Sequence, residues 1–124
     1  MKTARRQSIL IAEPNVQFRE ELYNFLLSDG YEHVTATDSL ATVLEQISHP
    51  AYDVILADAG APWGSGLPVA KSLATLSPTT KIILMFNAED QQAWNQLAVQ
   101  AVGMHFLIKS TFARTLLYLL EDRS

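Results

Sequence analysis

The chain has 124 residues, a formal net charge of −4 and 48% hydrophobic residues, enough apolar surface for one domain with an ordinary core. The absence of cysteine excludes disulfides, thiolate catalysis and cysteine-ligated metal centres, and the acidic balance excludes a broad basic surface for nucleic acid. No apolar run approaches the roughly 20 residues of a membrane span, and no signal peptide is evident. We expect one cytoplasmic domain over residues 1–124, with a flexible N-terminal segment at 1–7 and no membrane contact.

Short apolar runs of strand length alternate with stretches whose apolar residues recur at helical spacing. The predicted strands span residues 8–12, 33–36, 53–58, 81–86 and 106–108. The predicted helices span residues 16–27, a segment that begins at Asp38 or Ser39 as N-cap and ends at His49-Pro50, and residues 67–76, 89–102 and 111–120. No repeat, low-complexity tract or internal linker interrupts this order.

Alternating strands and helices indicate a parallel sheet, because parallel neighbours cannot be joined by tight hairpins and need helical crossovers. The first, third and fourth strands are apolar on both faces, which is typical of strands covered by helices on both sides. The sequence therefore predicts an α/β fold, a doubly wound (βα)5 three-layer sandwich with a five-stranded parallel sheet.

Asp58 is the most informative single residue. It ends the apolar run of the third strand and is followed by a loop rich in glycine and proline. In an open parallel sheet, ligands and reactive groups collect outside the carboxyl ends of the strands, so this carboxylate can reach water, metal or phosphate. A purely structural role as a turn residue stays open, since aspartate is common in turns.

Parallel strands bring further polar residues to the same edge. Glu13 leaves the first strand there and Lys109 leaves the fifth. This set suits phosphoryl chemistry, in which one carboxylate attacks phosphorus, the other helps to hold a divalent cation and the ammonium neutralises phosphoryl oxygens. The alternative is that Lys109 is a solvated strand end and that Glu13 interacts favourably with the dipole of the next helix.

With these residues in place, the chain resembles the receiver domains of bacterial two-component response regulators over essentially its whole length, and is similar to the chemotaxis-type single-domain members. The resemblance implies a flavodoxin-like fold with strand order 2-1-3-4-5. It implies that Asp58 is the phosphoacceptor, supported by Pro62 and Gly66 in the following loop. It also implies that Lys109 contacts the phosphoryl group and that Phe106 is the aromatic residue whose rotation reports activation.

The chain departs from the family pattern at two points. Glu13-Pro14 stands where the family has two adjacent acids, so Mg²⁺ would rely on Glu13, Asp58 and the backbone carbonyl of Gly60, and the resemblance implies weak or lost binding. At the end of the fourth strand, Phe86 or, with one residue of slippage, Asn87 replaces the family's hydroxyl residue. Asn87 could donate a hydrogen bond to a phosphoryl oxygen, whereas Phe86 could only pack.

The last third of the chain is unusually apolar for a surface. Trp94 on the fourth predicted helix, Phe106 on the fifth strand and the leucine-rich segment 116–120 on the fifth helix contribute to it. A helix that is apolar nearly all round is buried or bound to a partner. We expect about half of these leucines to be buried in the core and the rest to contact a partner or a second copy of the chain.

Two functions stay open. The first is a phosphorelay receiver that takes a phosphoryl group from a histidine kinase or phosphotransfer protein. It would signal to an effector domain, a partner protein or a second copy through the face formed by the fourth helix, fifth strand and fifth helix. The second is a pseudo-receiver that acts through protein contacts without phosphorylation. An aspartate-nucleophile hydrolase is disfavoured because Gly60 stands where such enzymes carry a second acid. A flavin carrier is disfavoured because the loop after the first strand lacks a phosphate-binding segment rich in serine, threonine and glycine. For both reasons we do not expect an enzyme.

Overall fold

The structure is a computed structural model that describes residues 5–39, 42, 52–61, 64, 66–101 and 103–121. The strands are β1 Arg5–Ala12, β2 Tyr31–Thr37, β3 Val54–Asp58, β4 Lys81–Phe86 and β5 His105–Ile108. The helices are α1 Val16–Ser28, α2 Gly66–Leu76, α3 Gln91–Leu97 and α4 Phe112–Glu121, and short 3₁₀ turns cover Ala88–Asp90, Ala98–Gln100 and Lys109–Thr111. Thus α2, α3 and α4 correspond to the third, fourth and fifth predicted helices.

The predicted second helix falls almost wholly outside the described residues. At its predicted start, the Ser39 hydroxyl accepts a hydrogen bond from the backbone N–H of Thr42 at 3.4 Å, which is the contact of an N-cap residue with the first turn of a helix. Pro62 and Trp63 also lie outside the described residues.

The five strands form one parallel sheet in the order β2-β1-β3-β4-β5, which confirms the predicted architecture and strand order. Register aligns the three central strands, so that Leu56 of β3 lies beside Ile11 of β1 and Ile83 of β4. None of the helices in the described part of the chain is long and apolar enough to cross a bilayer.

Alternate residues of each central strand enter two hydrophobic cores on opposite faces of the sheet. In β1, Ile9 and Ile11 pack into the core under α1 and α4, while Leu10 and Ala12 pack into the core under α2 and α3. All four are nearly inaccessible to solvent. The strands that read as apolar on both faces are therefore buried on both faces, because each face is covered by helices.

β1 begins at Arg5, three residues before the predicted start, so residues 5–7 are part of this strand. The Arg5 backbone N–H donates to the carbonyl of Gly30 at 3.1 Å, and its guanidinium pairs with Asp29 at 3.3 Å and with Glu121 at 3.0 Å. It also lies over the ring of Tyr31, 5.2 Å from the centroid. These partners come from the ends of α1 and α4, so the sequence near Arg5 could not reveal them.

The prediction of one continuous fourth helix over 89–102 was wrong. The segment is instead a 3₁₀ turn, the seven-residue helix α3 and a second 3₁₀ turn. Trp94 is the only buried residue of α3. Leu97 is partly buried and packs against the same core. Because helices in proteins gain most of their stability from a packed apolar face, these few core contacts support only a short α-helix.

The apolar last third is mostly core. Trp94 is 1% exposed, and Leu116, Leu119 and Leu120 of α4 are buried against the sheet. Tyr118 points to solvent on the same helix and is 74% exposed. More than the expected half of these leucines is therefore buried in the core.

Candidate functional site

Three charged side chains meet where β1, β3 and β5 end. Glu13 directly follows β1, Asp58 is the last residue of β3, and Lys109 directly follows β5. Lys109 Nζ lies 2.8 Å from Glu13 Oε1 and 2.7 Å from Asp58 Oδ1. The parallel sheet therefore brings together the three residues that the sequence placed at this edge, and one ammonium contacts both carboxylates.

Glu13 is held from several sides and has no exposed surface. Oε1 contacts Lys109, and Oε2 accepts a hydrogen bond from the backbone N–H of Asn15 at 3.0 Å. The Arg19 guanidinium donates to the Glu13 backbone carbonyl at 2.7 Å. A buried carboxylate requires such partners, because removing a charge from water is costly unless it is paired and hydrogen-bonded.

Lys109 is a half-buried cation, with 15% of its side chain exposed. Burial by itself lowers the pKa of the ammonium, but hydrogen bonds to Asp58 and Glu13 and the charges of both carboxylates outweigh burial and raise the pKa above its ordinary value. The ring of Phe18 lies 5.4 Å from Nζ and adds a cation–π contact. Lys109 therefore stays charged near neutral pH and has a fixed position.

Asp58 faces an open cleft of about 540 Å³, and 23% of its side chain is exposed. Pro14, Asp38 and Gly60 line the same cleft. Asp38 was missed as a site residue, because as a turn aspartate at the start of a predicted helix it was taken only as a possible cap. Its position just after β2 was the available signal, since β2 ends at the same edge of the sheet.

Two glycines shape the loop after Asp58. Gly60 has a φ of +67°, a left-handed conformation that favours glycine. A Cβ on Gly66 would lie 2.1 Å from the carbonyl oxygen of Ala59, so only glycine allows the start of α2 to approach the backbone next to Asp58 so closely. This contact gives a physical reason for glycine at the position that the family resemblance singled out.

Asn87 and Phe86 occupy different environments. Asn87 is exposed and lines a second cleft, of about 450 Å³, together with Lys109 and Ser110. Phe86 is 5% exposed and belongs to the hydrophobic core. Of the two candidates for the polar position, Asn87 is the one that lies near Lys109. Its cleft differs from the one that Asp58 lines, and Lys109 lines the cleft of Asn87 while its ammonium contacts Asp58.

The predicted magnesium ligands do not form a fitting donor set. Asp58 and Gly60 line the cleft, but both carboxylate oxygens of Glu13 are already engaged by Lys109 and Asn15. Pro14 brings an apolar ring to the cleft where an acid would be required. Within the described ranges, no three acidic or histidine side chains are grouped so that they could hold a metal ion.

Phe106 is half-buried on β5 and packs into the core on the side of α2 and α3. Its ring centroid lies 6.4 Å from that of Phe86 and 6.0 Å from that of Trp94. Phe106, the aromatic residue that the resemblance singled out, therefore points into the core. It lies three residues before Lys109 in the sequence.

Comparison with known proteins identifies the family of the chain and proteins that share its fold. The sequence profile of response regulator receiver domains matches residues 9–121, and no protein of curated function matches the chain. A putative response regulator from Chloroflexus aurantiacus superimposes with a TM-score of 0.79 at 23% identity, over 94% of this chain and 96% of that one. A CheY-like receiver domain protein from Methanospirillum hungatei gives 0.76 at 19% identity, over 96% and 92%.

A larger protein contains a similar unit. NtrX from Brucella abortus, solved in complex with ADP, superimposes with a TM-score of 0.77 at 17% identity, and the match covers 94% of this chain but 26% of that one. At these identities, the structural likeness demonstrates a shared fold.

Proposed function

The chain belongs to the family of response regulator receiver domains, and from this we propose that it is a signalling module in which Asp58 accepts a phosphoryl group in a two-component phosphorelay. Domains of this family are generally signalling modules and not enzymes. The observation that carries the proposal is the 2.7 Å contact between Lys109 Nζ and Oδ1 of Asp58, a residue that lines an open cleft. It combines an accessible carboxylate with a fixed cation beside it.

The proposed reaction is phosphoryl transfer from a phosphohistidine of the donor protein, a histidine kinase or phosphotransfer protein. A carboxylate oxygen of Asp58 attacks phosphorus and forms an acyl phosphate. The P–N bond breaks, and its electron pair goes to the imidazole, which is protonated as it leaves. Lys109 neutralises charge on the phosphoryl oxygens, and Glu13 keeps the ammonium charged and in position.

We propose that Asn87, which lines a cleft together with Lys109, contacts the phosphoryl group through its side-chain amide. The added negative charge would draw Lys109 away from Glu13 and shift the strand end that carries Phe106. The output surface would be the face formed by α3, β5 and α4. Val99, which is 77% exposed, and Tyr118 would be its accessible apolar residues. An effector domain, a partner protein or a second copy would bind there.

Incubation with phosphoramidate, a small phosphoryl donor with a P–N bond, tests the proposal. We expect the intact mass to increase by one phosphoryl group and hydroxylamine to remove it, as an acyl phosphate requires. Asp58→Asn should abolish the increase. Asp38→Asn, which alters the other carboxylate lining the same cleft, is the matched control and should retain it. Reaction of Asp58→Asn to the same extent as the parent would refute Asp58 as the acceptor.

A second candidate function is a pseudo-receiver that signals through protein contacts alone. The specific observation in its favour is that Glu13 is committed to Lys109 and Asn15 while Pro14 lines the cleft. Mg²⁺ typically binds at the phosphorylation site of receiver domains, and here it would lack its usual acids. Beryllofluoride with magnesium separates the two candidates. A saturable tryptophan fluorescence change that Asp58→Asn abolishes supports the receiver, and no response at millimolar magnesium supports the pseudo-receiver.

A further inference from the structure

The two outer strands of the sheet differ in length. β2 and β5 are the outer strands, and among the described residues each pairs with one neighbour. β5 has four residues, whereas β2 has seven. A strand at the edge of a sheet presents unpaired backbone N–H and C=O groups to which another chain can pair, and a short edge strand limits such pairing. β2 is therefore the longer template for a further strand.

One hydrogen bond fixes the direction of the backbone groups in β2. The carbonyl of Thr37 accepts from the backbone N–H of Glu13 at 3.0 Å, so the backbone groups of Thr37 point to β1. Successive residues of a strand point their backbone groups to opposite sides. The N–H and C=O groups of Val34 and Ala36 therefore point away from β1, toward the free edge of the sheet.

Little in β2 discourages pairing with another chain. Natural edge strands are protected by lysine, proline, bulges or a covering element. β2 contains neither lysine nor proline, and its tyrosine, valine and threonine residues favour strands. Four of its seven residues are exposed, namely Glu32, His33, Thr35 and Ala36. The strand is therefore open to solvent along most of its length.

A cleft of about 400 Å³ lies beside this edge. Ala36 of β2 lines it together with Arg19, Glu20, Tyr23 and Asn24 of α1. Glu20 is exposed and has no ion-pair partner among the described residues, and Tyr23 is 36% exposed. The Arg19 guanidinium, in contrast, is half-buried and donates to the Glu13 carbonyl. The cleft therefore offers an aromatic ring and an unpaired carboxylate to a side chain that enters it.

The charges at this surface select its occupant. Glu20 lies on the cleft and Glu32 on the strand, and the whole chain has a formal net charge of −4. A second copy of the chain would bring like charges together, which is unfavourable across paired strands. A lysine or arginine side chain can instead pack its aliphatic part against Tyr23 and place its charge near Glu20. The partner that fits is an extended, basic segment of another protein.

We propose that β2 binds such a segment as a further strand of the sheet, with a basic side chain of the segment in the cleft. The backbone groups of Val34 and Ala36 supply the hydrogen bonds, and the cleft beside Ala36 selects the side chain. Strand addition in peptide recognition divides affinity and specificity in this way. The proposal does not depend on phosphorylation of Asp58.

A fluorescein-labelled peptide of alternating lysine and valine, seven residues long like β2, tests the proposal with the full-length protein. We expect saturable binding by fluorescence anisotropy. In hydrogen exchange followed by NMR, the amides of Val34 and Ala36 should gain protection when the peptide binds. The amide of Thr35, which points to β1, should change little. No binding, or binding that leaves the Val34 and Ala36 amides unprotected, would refute strand addition.

The cleft is tested by charge reversal. Glu20→Lys changes a carboxylate that lines the cleft, and Glu21→Lys is the matched control, because Glu21 is exposed on the same helix but does not line this cleft. We expect Glu20→Lys to weaken peptide binding several-fold and Glu21→Lys to leave it nearly unchanged. Equal effects would show that net charge alone attracts the peptide, and the role of the cleft would then be wrong.

N-methylation of the peptide tests the backbone pairing without changing the protein. A strand bonds to one neighbour through every second residue, so methylating either the lysine amides or the valine amides should abolish binding, while methylating the other set should not. Equal effects of the two sets would contradict strand addition.

Ala36→Pro removes one outward N–H of β2 and tests the identity of the occupant. It should weaken peptide binding without changing the sedimentation of the protein alone. A dimer that this substitution dissociates would instead assign the edge to a second copy of the chain. The N-methylated peptides keep the proposal testable if Ala36→Pro fails to fold.

Discussion

At the scale of single residues, the site depends on how two carboxylates share one cation. Lys109 contacts Glu13 and Asp58 at almost equal distances, but the two carboxylates differ in exposure. Glu13 is buried, whereas Asp58 reaches the cleft. The buried acid therefore fixes the lysine, and the accessible one remains available for reaction. This division of roles arises from burial, since both residues offer the same functional group.

The Gly66 contact leads to a stability prediction. Replacing Gly66 with alanine would place a methyl group 2.1 Å from the Ala59 carbonyl oxygen, so the backbone beside Asp58 must move. We expect a loss of about 2 kcal/mol or more in the free energy of unfolding, as for other overpacked positions. Urea denaturation of the variant and the parent measures the change.

Gly64→Ala is the control for this prediction, because its new Cβ would meet no atom closer than 3.3 Å. It should change the free energy of unfolding by less than about 1 kcal/mol. Equal losses for Gly64→Ala and Gly66→Ala would show that the close approach to Ala59 is not what requires glycine.

Sequence reasoning placed Asp58, Glu13 and Lys109 at one edge correctly, because strand direction alone decides which end of a parallel strand a residue occupies. It could not decide that Glu13 faces inward to Lys109 instead of the cleft. That outcome depends on Asn15 and Arg19 of the following segment, which hold the backbone and side chain of Glu13. Side-chain orientation is a tertiary property, and spacing carries little information about it.

At the scale of secondary-structure elements, α1, α2 and α4 were predicted to within one residue at each end, whereas β1 and β2 are each three residues longer than predicted. β4 occupies the predicted residues 81–86, because a short uninterrupted apolar run between two turn signals is typical of a buried strand. The fourth helix fails as a continuous element, because its apolar residues recur at helical spacing without all reaching the core. The predicted second helix, which lies outside the described residues, stays a prediction.

The contacts of Arg5 predict that this residue, at the start of β1, contributes to stability. Arg5→Ala removes ion pairs to Asp29 and Glu121 and the contact with the Tyr31 ring. Glu121 is 53% exposed, so solvent weakens that pair, and we expect a total loss of about 1 kcal/mol. Thermal unfolding of Arg5→Ala beside Arg6→Ala measures it. The exposed neighbour Arg6 should be almost neutral, and an equal loss for both would contradict the assignment.

At the scale of the whole molecule, the order of the strands was predictable once the family resemblance was stated, since alternation alone does not fix it. Among the described residues, the two cores lie on opposite faces of the sheet, and the central strands contribute to both. Cooperative unfolding is the expected consequence, because neither core can be lost while the sheet between them remains.

Stability should fall at alkaline pH. Contacts with Asp58 and Glu13 outweigh burial and raise the pKa of Lys109 above its ordinary 10.5, and burial, partly offset by Arg5, raises the pKa of Tyr31 above its ordinary 10.0. The folded protein therefore holds these protons more tightly than the unfolded chain. This stabilisation is complete below the ordinary values and is lost as pH rises through the raised ones, with a slope of up to about 1.4 kcal/mol per pH unit for each group.

Denaturation in urea between neutral and strongly alkaline pH measures this decline. Tyr31→Phe and Lys109→Met should each make the alkaline slope shallower than that of the parent. A slope that is the same in the parent and in both variants would show that neither group is responsible.

The burial of β1 on both faces has a consequence for how the sheet is assembled. When one face of a strand is exposed to solvent, a shift of its pairing register by one residue exposes apolar side chains and is unfavourable. β1 is buried on both faces, so after such a shift it would still present apolar side chains to both cores. Polar groups must therefore fix its alignment. In the middle of β1, Ser8 donates its backbone N–H to Asp53 Oδ2 at 2.8 Å, and Glu13, directly after the strand, contacts Lys109. Glu13, the acid that holds Lys109, therefore also helps to fix the register of β1 in the sheet.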